Sequence, residues 1–429
     1  MNDRPRRSPT LNRRAVLNGQ VSAESGVRRH KPDYWLLVFA ALLMTIGLVV
    51  IYSISPALAA SQDISQSYFI TKELINVGLG VAVFAAAALL PTWWWRKIAG
   101  PLAAAALIAS AVVMITPTDE IYQAHRWIRA GGLSFQVAEL VKFALLIGLA
   151  VFLTKQWRSG RLADSNATLK PLLILVAVVG LLVAKLQSDL GSAAVVVAMI
   201  IMMAYAAGIP LKKVLLIGGC ILALGALAIS TSGYRRDRLA AFIHPESNCQ
   251  GSGYQACQAL ISVGSGGVFG MGLGYGVQAY GYLPEASNDS IFAIIAEKFG
   301  FVGTLAIIVI YTAFIARLRR LIEHTANQFN RLVLVGVLAW ISTQMIINIG
   351  AMIGLLPLKG ITLPFISQGG TSLIFLTAAL GLVFQISRYT SYSVTEPKTS
   401  ISQQKSYGPF DGRRIGRPHN AAVVAGRRA

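Results

Sequence analysis

The chain has 429 residues, of which 55% are apolar and only 13% charged, against roughly 45–50% and 25% in an average soluble domain. That balance excludes an ordinary soluble enzyme and points to an all-α polytopic membrane protein. The formal charge of +20 would suggest a nucleic-acid partner if it were gathered on one folded face, so its distribution along the chain decides its meaning.

In chain order, residues 1–32 form a basic tail, 33–388 a membrane domain and 389–429 a second basic tail. Both tails are rich in Arg, Ser, Asn, Pro and Gly with little apolar surface to bury, so both are expected to be disordered. They would hold topology and attract anionic lipid, or dock a cytoplasmic partner. About ten transmembrane helices are expected, at 33–56, 72–90, 97–116, 137–155, 171–187, 189–208, 213–231, 290–316, 332–353 and 369–387. Each is close to the roughly 20 apolar residues that cross a bilayer. Ala57-Leu58-Ala59 follows the first apolar run and mimics a signal-peptidase site. The basic leader is too long for a signal peptide and the run is long enough to span, so no cleavage is expected.

With the first tail inside, 28 of the 38 basic residues fall on one side of these spans, with seven of the 18 acids. That asymmetry predicts two cytoplasmic termini and an even number of spans. It also removes nucleic acid as the explanation of the high charge.

Several charges lie where lipid disfavours them, each costing at least about 2.5–3.5 kcal/mol at mid-bilayer. Glu139 and Lys142 are three apart in the fourth span and can pair on one helical face. Lys185 and Asp189 flank the link between spans five and six, and Glu297 and Lys298 stand about two turns into span eight. Paired struts or not, they must face protein or a water-filled cavity, which implies a polar site toward the outer leaflet.

One large outer loop, 232–289, separates helices 7 and 8. Its run Tyr234-Arg235-Arg236-Asp237-Arg238 suits a phosphate or pyrophosphate group, or else lipid headgroups. Cys249 and Cys257 are eight positions apart and could pair in an oxidising exterior. Seven glycines fall within 264–276. They do not fit a dinucleotide fingerprint, but they permit close approach to a ligand or a neighbouring helix. Asp289 then stands at the outer mouth of span eight, either as a plain N-cap or as a reactive carboxylate. There is no P-loop, no Asp-x-Asp pair and no zinc-type His spacing. Any reaction must therefore run on energy already in its substrate.

Six ordered motifs carry a resemblance to a known family. They are Arg126-Trp127-Ile128 with Phe135 to Lys142, Gln187-Ser188-Asp189-Leu190-Gly191, Gly253-Tyr254-Gln255, the glycine run, Leu283-Pro284-Glu285 through Asp289 to Phe292, and Pro357 through Lys359 and Ser367 to Ser372. Together they resemble the SEDS family (shape, elongation, division and sporulation) over about residues 33 to 388. The Lys359 run and the long basic tails resemble its division branch more than its elongation branch.

The resemblance implies a peptidoglycan glycosyltransferase that polymerises lipid II at the outer face of the bacterial inner membrane, at the division septum. It implies Asp289 as the catalytic carboxylate. Arg235, Arg238, Lys359, Glu285, Trp127 and Ser367 would bind substrate, Glu139 and Lys142 would form a cavity charge pair, and Asp189 and Glu297 match further acids of the pattern. Lys298 stands where the family shows another acid. No cofactor is certain beyond, at most, a divalent cation such as Mg or Mn. The implied partners are a class B penicillin-binding protein acting as septal transpeptidase and other division proteins. Two rival readings use the same residues differently. A lipid II flippase would need the cavity but no strict base, and a non-catalytic division scaffold would need neither.

Overall fold

The structure is a computed structural model that describes residues 31–115, 126–130, 133–186, 189–230, 249–251 and 253–389, with Gly233 and Phe242. All but Lys31, Pro32 and Tyr389 of the two expected tails, the Gln187-Ser188 link and the cationic run from Tyr234 to Arg238 lie outside the described residues.

The described chain is almost wholly helical. Three helices come first, α1 (Tyr34–Gln62), α2 (Tyr68–Leu89) and α3 (Thr92–Ile115), followed by a short hairpin of β1 (Trp127–Ala130) and β2 (Leu133–Gln136). Then come α4 (Val137–Arg158), α5 (Lys170–Val179, continued by a wider turn over Gly180–Leu186), α6 (Leu190–Ala207), α7 (Leu211–Ser230) and α8 (Tyr254–Ser265). The chain closes with α9 (Ile291–Glu323), α10 (Gln328–Met352) and α11 (Gly370–Ser387). Among the described residues nine helical segments are long and apolar enough to cross a membrane, and α7 occupies the seventh expected span.

Three differences from the sequence expectation have physical causes. Helix α1 continues six residues past its expected end, carrying Ala57, Leu58 and Ala59 inside the helix and buried. The segment before α4 is a hairpin, where the sequence reading expects only a loop; it registers Trp127 against Gln136. The large outer loop is not structureless, because α8 buries Cys257, Ala259 and Ser262, and Ser262 Oγ donates to the Ala293 carbonyl of α9 at 2.9 Å. Cys249 and Cys257 are joined by a disulfide at its mouth.

Helices α4, α10 and α11 are buried over most of their length, whereas α2 and α3 bury only a stripe. A helix apolar on all sides can be satisfied only in the interior or in lipid. Here the interior set forms the bundle centre, with Leu146, Trp340 and Ala379 inaccessible to solvent. At one end Asp33 caps α1 by accepting from Trp35 N at 3.1 Å and accepts from Arg317 Nε of α9 at 2.6 Å. Its own amide donates to Ser387 Oγ of α11. One residue, through its carboxylate and its amide, thus ties α1, α9 and α11 together.

The glycine run explains a break in α9. Gly300 has φ +63 and ψ −161, which interrupts the helical ladder and leaves backbone groups that lipid cannot satisfy. The run supplies the partners. Met271 N and Gly272 N donate to the Glu297 and Lys298 carbonyls, and Phe301 N and Val302 N donate to Gly267 and Val268. Side chains at Gly266 or Gly270 would collide with the α9 backbone. The glycines serve a neighbouring helix.

Candidate functional site

Three irregular segments meet at the end of the bundle opposite the Asp33 cluster. The first is the hairpin foot, where Val137 N donates to the Arg126 carbonyl at 3.3 Å and anchors Arg126 above α4. The second is the turn before α9. Glu285 adopts φ +53, and its carbonyl accepts from Asn288 N and Ser290 N, closing a tight loop that presents half-buried Asp289. The third is the stretch from Pro357 to Gly369 before α11. Leu363 N donates to Ser367 Oγ at 2.7 Å, and Tyr311 OH donates to the Pro364 carbonyl.

These segments converge on Gly360. A methyl group there would stand 3.5 Å from Asp289 Oδ2 and 3.9 Å from Arg126 Nη1. Both groups therefore border the bare face of Gly360. Lys359 lies beside it, its stem packed over Gly191 at the start of α6. The turn is held from below by Asn348 of α10, whose amide nitrogen donates to both the Asp289 and the Ile361 carbonyls at 2.7 Å. A second tie joins Gln368 N to the Ser287 carbonyl at 2.9 Å.

One turn down α10, Gln344 links this lip to the buried charge pair. Its Nε2 donates to the Thr362 carbonyl at 2.9 Å, and its Oε1 accepts from Trp340 Nε1 at 2.8 Å and from Lys142 Nζ at 3.5 Å. Lys142 donates to Glu139 at 2.6 Å and lies 5.2 Å from the Trp340 ring centroid. Both charges are buried, at 0% and 2% exposure. A fully buried pair of this kind needs further polar contacts; Gln344 and the Trp340 ring give them to Lys142, while Glu139 Oε2 has no hydrogen-bond partner among the described residues.

The remaining sequence candidates are placed as follows. Asp189 caps α6, accepting from Ser192 N at 2.9 Å and from Gln136 Nε2 at 3.4 Å. Glu297 accepts from Val277 N and Gln278 N, while Lys298 donates to the Tyr275 carbonyl at 2.7 Å. That pair clasps the glycine run and does not join Asp289. Glu285 is exposed and accepts from the Asn288 amide, and Trp127 is half-buried at the start of β1. Ser367 is buried within its own turn. Arg235 and Arg238 lie outside the described residues.

The sequence reading assigns no role to Arg126, Gln344 or Asn348. Arg126 heads one of the six motifs, and Gln344 and Asn348 are amide residues four apart in a largely apolar span, the spacing of one helical face. That spacing was the available signal.

Among the described residues no group of three or more His, Cys, Asp or Glu could hold a metal ion. Around Asp289 the neighbours are Arg126, Lys359 and Asn348, which bring positive charge and amide donors. That donor set does not build a protein-held divalent site. Its chemical content is a carboxylate with cationic side chains nearby, groups of the kind used for proton transfer and for stabilising an anion.

Residues 34–392 match the cell cycle protein family that comprises FtsW, RodA and SpoVE. The stage V sporulation protein E of Bacillus subtilis (strain 168) is 32% identical over 366 residues, spanning 85% of this chain and 99% of the relative. A probable peptidoglycan glycosyltransferase FtsW of Coxiella burnetii is 33% identical over 83% of this chain and 96% of its own length. Among solved structures, a chain of a peptidoglycan synthase complex described as coordinating polymerization and crosslinking superposes with a TM-score of 0.68 at 28% identity, covering 84% of this chain and 99% of that one. The rod shape determining protein RodA of Thermus thermophilus gives 0.59 at 26% identity, covering 84% and 98%.

Proposed function

Because this chain belongs to the FtsW, RodA and SpoVE family of cell cycle proteins, and is a multi-pass membrane glycosyltransferase of peptidoglycan synthesis, we propose that it polymerises lipid II with Asp289 as the general base. The reaction is substitution at the anomeric carbon of the donor sugar. The 4-hydroxyl oxygen of the acceptor forms the new C–O bond, the bond from carbon to pyrophosphate breaks with its electron pair, and Asp289 takes the hydroxyl proton. The departing polyprenyl pyrophosphate carries the energy of the bond, so no nucleotide is needed.

The observation that carries the assignment is that Asp289 Oδ2 and Arg126 Nη1 both border the bare face of Gly360. A pyrophosphate leaving group needs a cation that does not have to reorganise. Arg126 and Lys359 supply that charge, joined by Arg235 and Arg238 of the outer loop. Trp127 and Glu285 flank the donor sugars, Ser367 closes the 363–367 turn that follows Lys359, and Asp189 and Glu297 brace α6 and the glycine run. The Glu139–Lys142 pair acts below the site, through Gln344, by fixing the 359–362 turn.

The polar lip lies at the end of the bundle poor in cations, which by charge asymmetry is the outer face of the inner membrane. A class B penicillin-binding protein that cross-links the new strand at the septum is the partner we assign, in line with the likeness to a synthase complex of polymerization and crosslinking.

The test is polymerisation of labelled lipid II by the purified protein with its cognate transpeptidase, comparing wild type, Asp289→Ala and Asp289→Asn. Glycan strands from wild type and at least about a hundredfold less from well-folded variants are expected. Equal product from all three would remove Asp289 from the chemistry. Transbilayer movement of lipid II without polymer would move the assignment to a flippase.

A further inference from the structure

At the opposite end of the bundle, roughly 30 Å away along the 22 residues of α4, lies a cavity of about 420 Å³. It is lined by Arg96 of α3, by Val151, Thr154, Lys155 and Arg158 of α4, and by Phe329 of α10. The four α4 residues recur at i, i+3, i+4 and i+7, so they form one face. No carboxylate is among the lining residues.

Its polar groups are organised. The Arg96 guanidinium lies 4.6 Å from the Phe329 ring centroid and donates to Asn327 Oδ1 at 3.1 Å, which fixes its plane. Lys155 and Arg158 are exposed at the last turn of α4, above apolar walls from Val151 and Phe329. Trp93 is 54% and Trp157 51% exposed, and Lys97 stacks over the Trp93 ring at 4.7 Å. Partly exposed tryptophans beside Lys and Arg mark the depth of lipid headgroups.

We propose that this cavity binds the headgroup of an anionic glycerophospholipid of the cytoplasmic leaflet. Three cations, at headgroup depth and between helices, match a phosphodiester, and the apolar walls match the glycerol and first acyl carbons. A soluble phosphate would use the cations but not those walls. Basic pockets between helices at this face bind such headgroups in general. The bound lipid bridges α3, α4 and α10 at the end of the bundle remote from Asp289.

The test uses full-length protein in phosphatidylcholine nanodiscs doped with a photoreactive phosphatidylglycerol or a photoreactive phosphatidylcholine probe, followed by peptide mapping. Wild type is expected to carry at least about fivefold more phosphatidylglycerol than phosphatidylcholine label within residues 93–99 and 151–159. Unlabelled phosphatidylglycerol should compete, and millimolar inorganic phosphate should not. The Arg96→Gln/Lys155→Gln/Arg158→Gln variant should lose the preference. If that variant does not fold, the exposed Lys155→Gln change alone should reduce it two- to threefold, while Lys212→Gln, outside the cavity, should leave it intact. Equal labelling by both probes in wild type, a preference that survives the substitutions, or full competition by inorganic phosphate would each overturn the proposal.

Discussion

Asn348 holds Asp289 by its backbone, not by its carboxylate: one amide nitrogen donates to the Asp289 and Ile361 carbonyls, each at 2.7 Å. The carboxylate borders Gly360 beside Arg126 while its peptide is fixed to the turn across the site. Asn348 is therefore a positioning residue. Asn348→Ala should lower lipid II polymerisation by roughly 10- to 100-fold through misplacement of the acid, with KM changed less than kcat. Substrate binding lost in parallel with kcat would argue against positioning.

Gly360→Ala should separate binding space from chemistry. The added methyl stands 3.5 Å from Asp289 Oδ2 and 3.9 Å from Arg126 Nη1, ordinary contact distances that do not disturb the fold. Thermal unfolding should stay within about 2 °C of wild type while polymerisation falls at least tenfold. A fully active Gly360→Ala protein would show that the reacting groups do not pass between these side chains.

The Glu139–Lys142 pair predicts non-additive stability. Lys142→Met strands a buried carboxylate and should cost about 3–5 kcal/mol, whereas the double change Glu139→Gln/Lys142→Met should recover most of it. Reversible unfolding in mixed micelles measures both. Additive losses would mean that the two charges do not depend on each other.

The glycines of the run and of the α9 break should divide by position. Gly270→Ala and Gly300→Ala meet backbone atoms at 2.2 and 2.4 Å and sit at positive φ, so both should sharply reduce folded protein. Gly264→Ala and Gly274→Ala meet nothing within 4 Å and have ordinary φ, so both should remain within about 0.5 kcal/mol of wild type. Detergent-extracted yield and thermal unfolding of the four variants would decide it.

Glu297 tests whether a second acid in this helix is needed for chemistry. Its carboxylate accepts from the Val277 and Gln278 amides, a task that a glutamine carbonyl also performs. Glu297→Gln should keep at least about half of the polymerase activity, and Glu297→Ala should lose both activity and stability. An inactive but stable Glu297→Gln protein would place this acid in the reaction.

Much of this molecule is legible in its sequence. The apolar share, the segregated cations and runs near 20 residues determine a polytopic helical protein, because lipid admits only backbone that satisfies itself. The spacing of Glu139 and Lys142 determines their pairing, since three residues bring side chains to one helical face. Six ordered motifs indicated the family and singled out Asp289.

What tertiary structure decided is which polar groups meet. Arg126, Asp289 and Gly360 are far apart in the chain, and no local rule brings them within contact distance. They converge because irregular backbone survives at membrane depth only where other protein groups satisfy it, and Asn348, Gln344 and Gln368 supply those bonds from separate elements. The same requirement turned the glycine run from a plausible ligand loop into the partner of the break at Gly300, and it assigned Glu297 and Lys298 to that loop, away from Asp289.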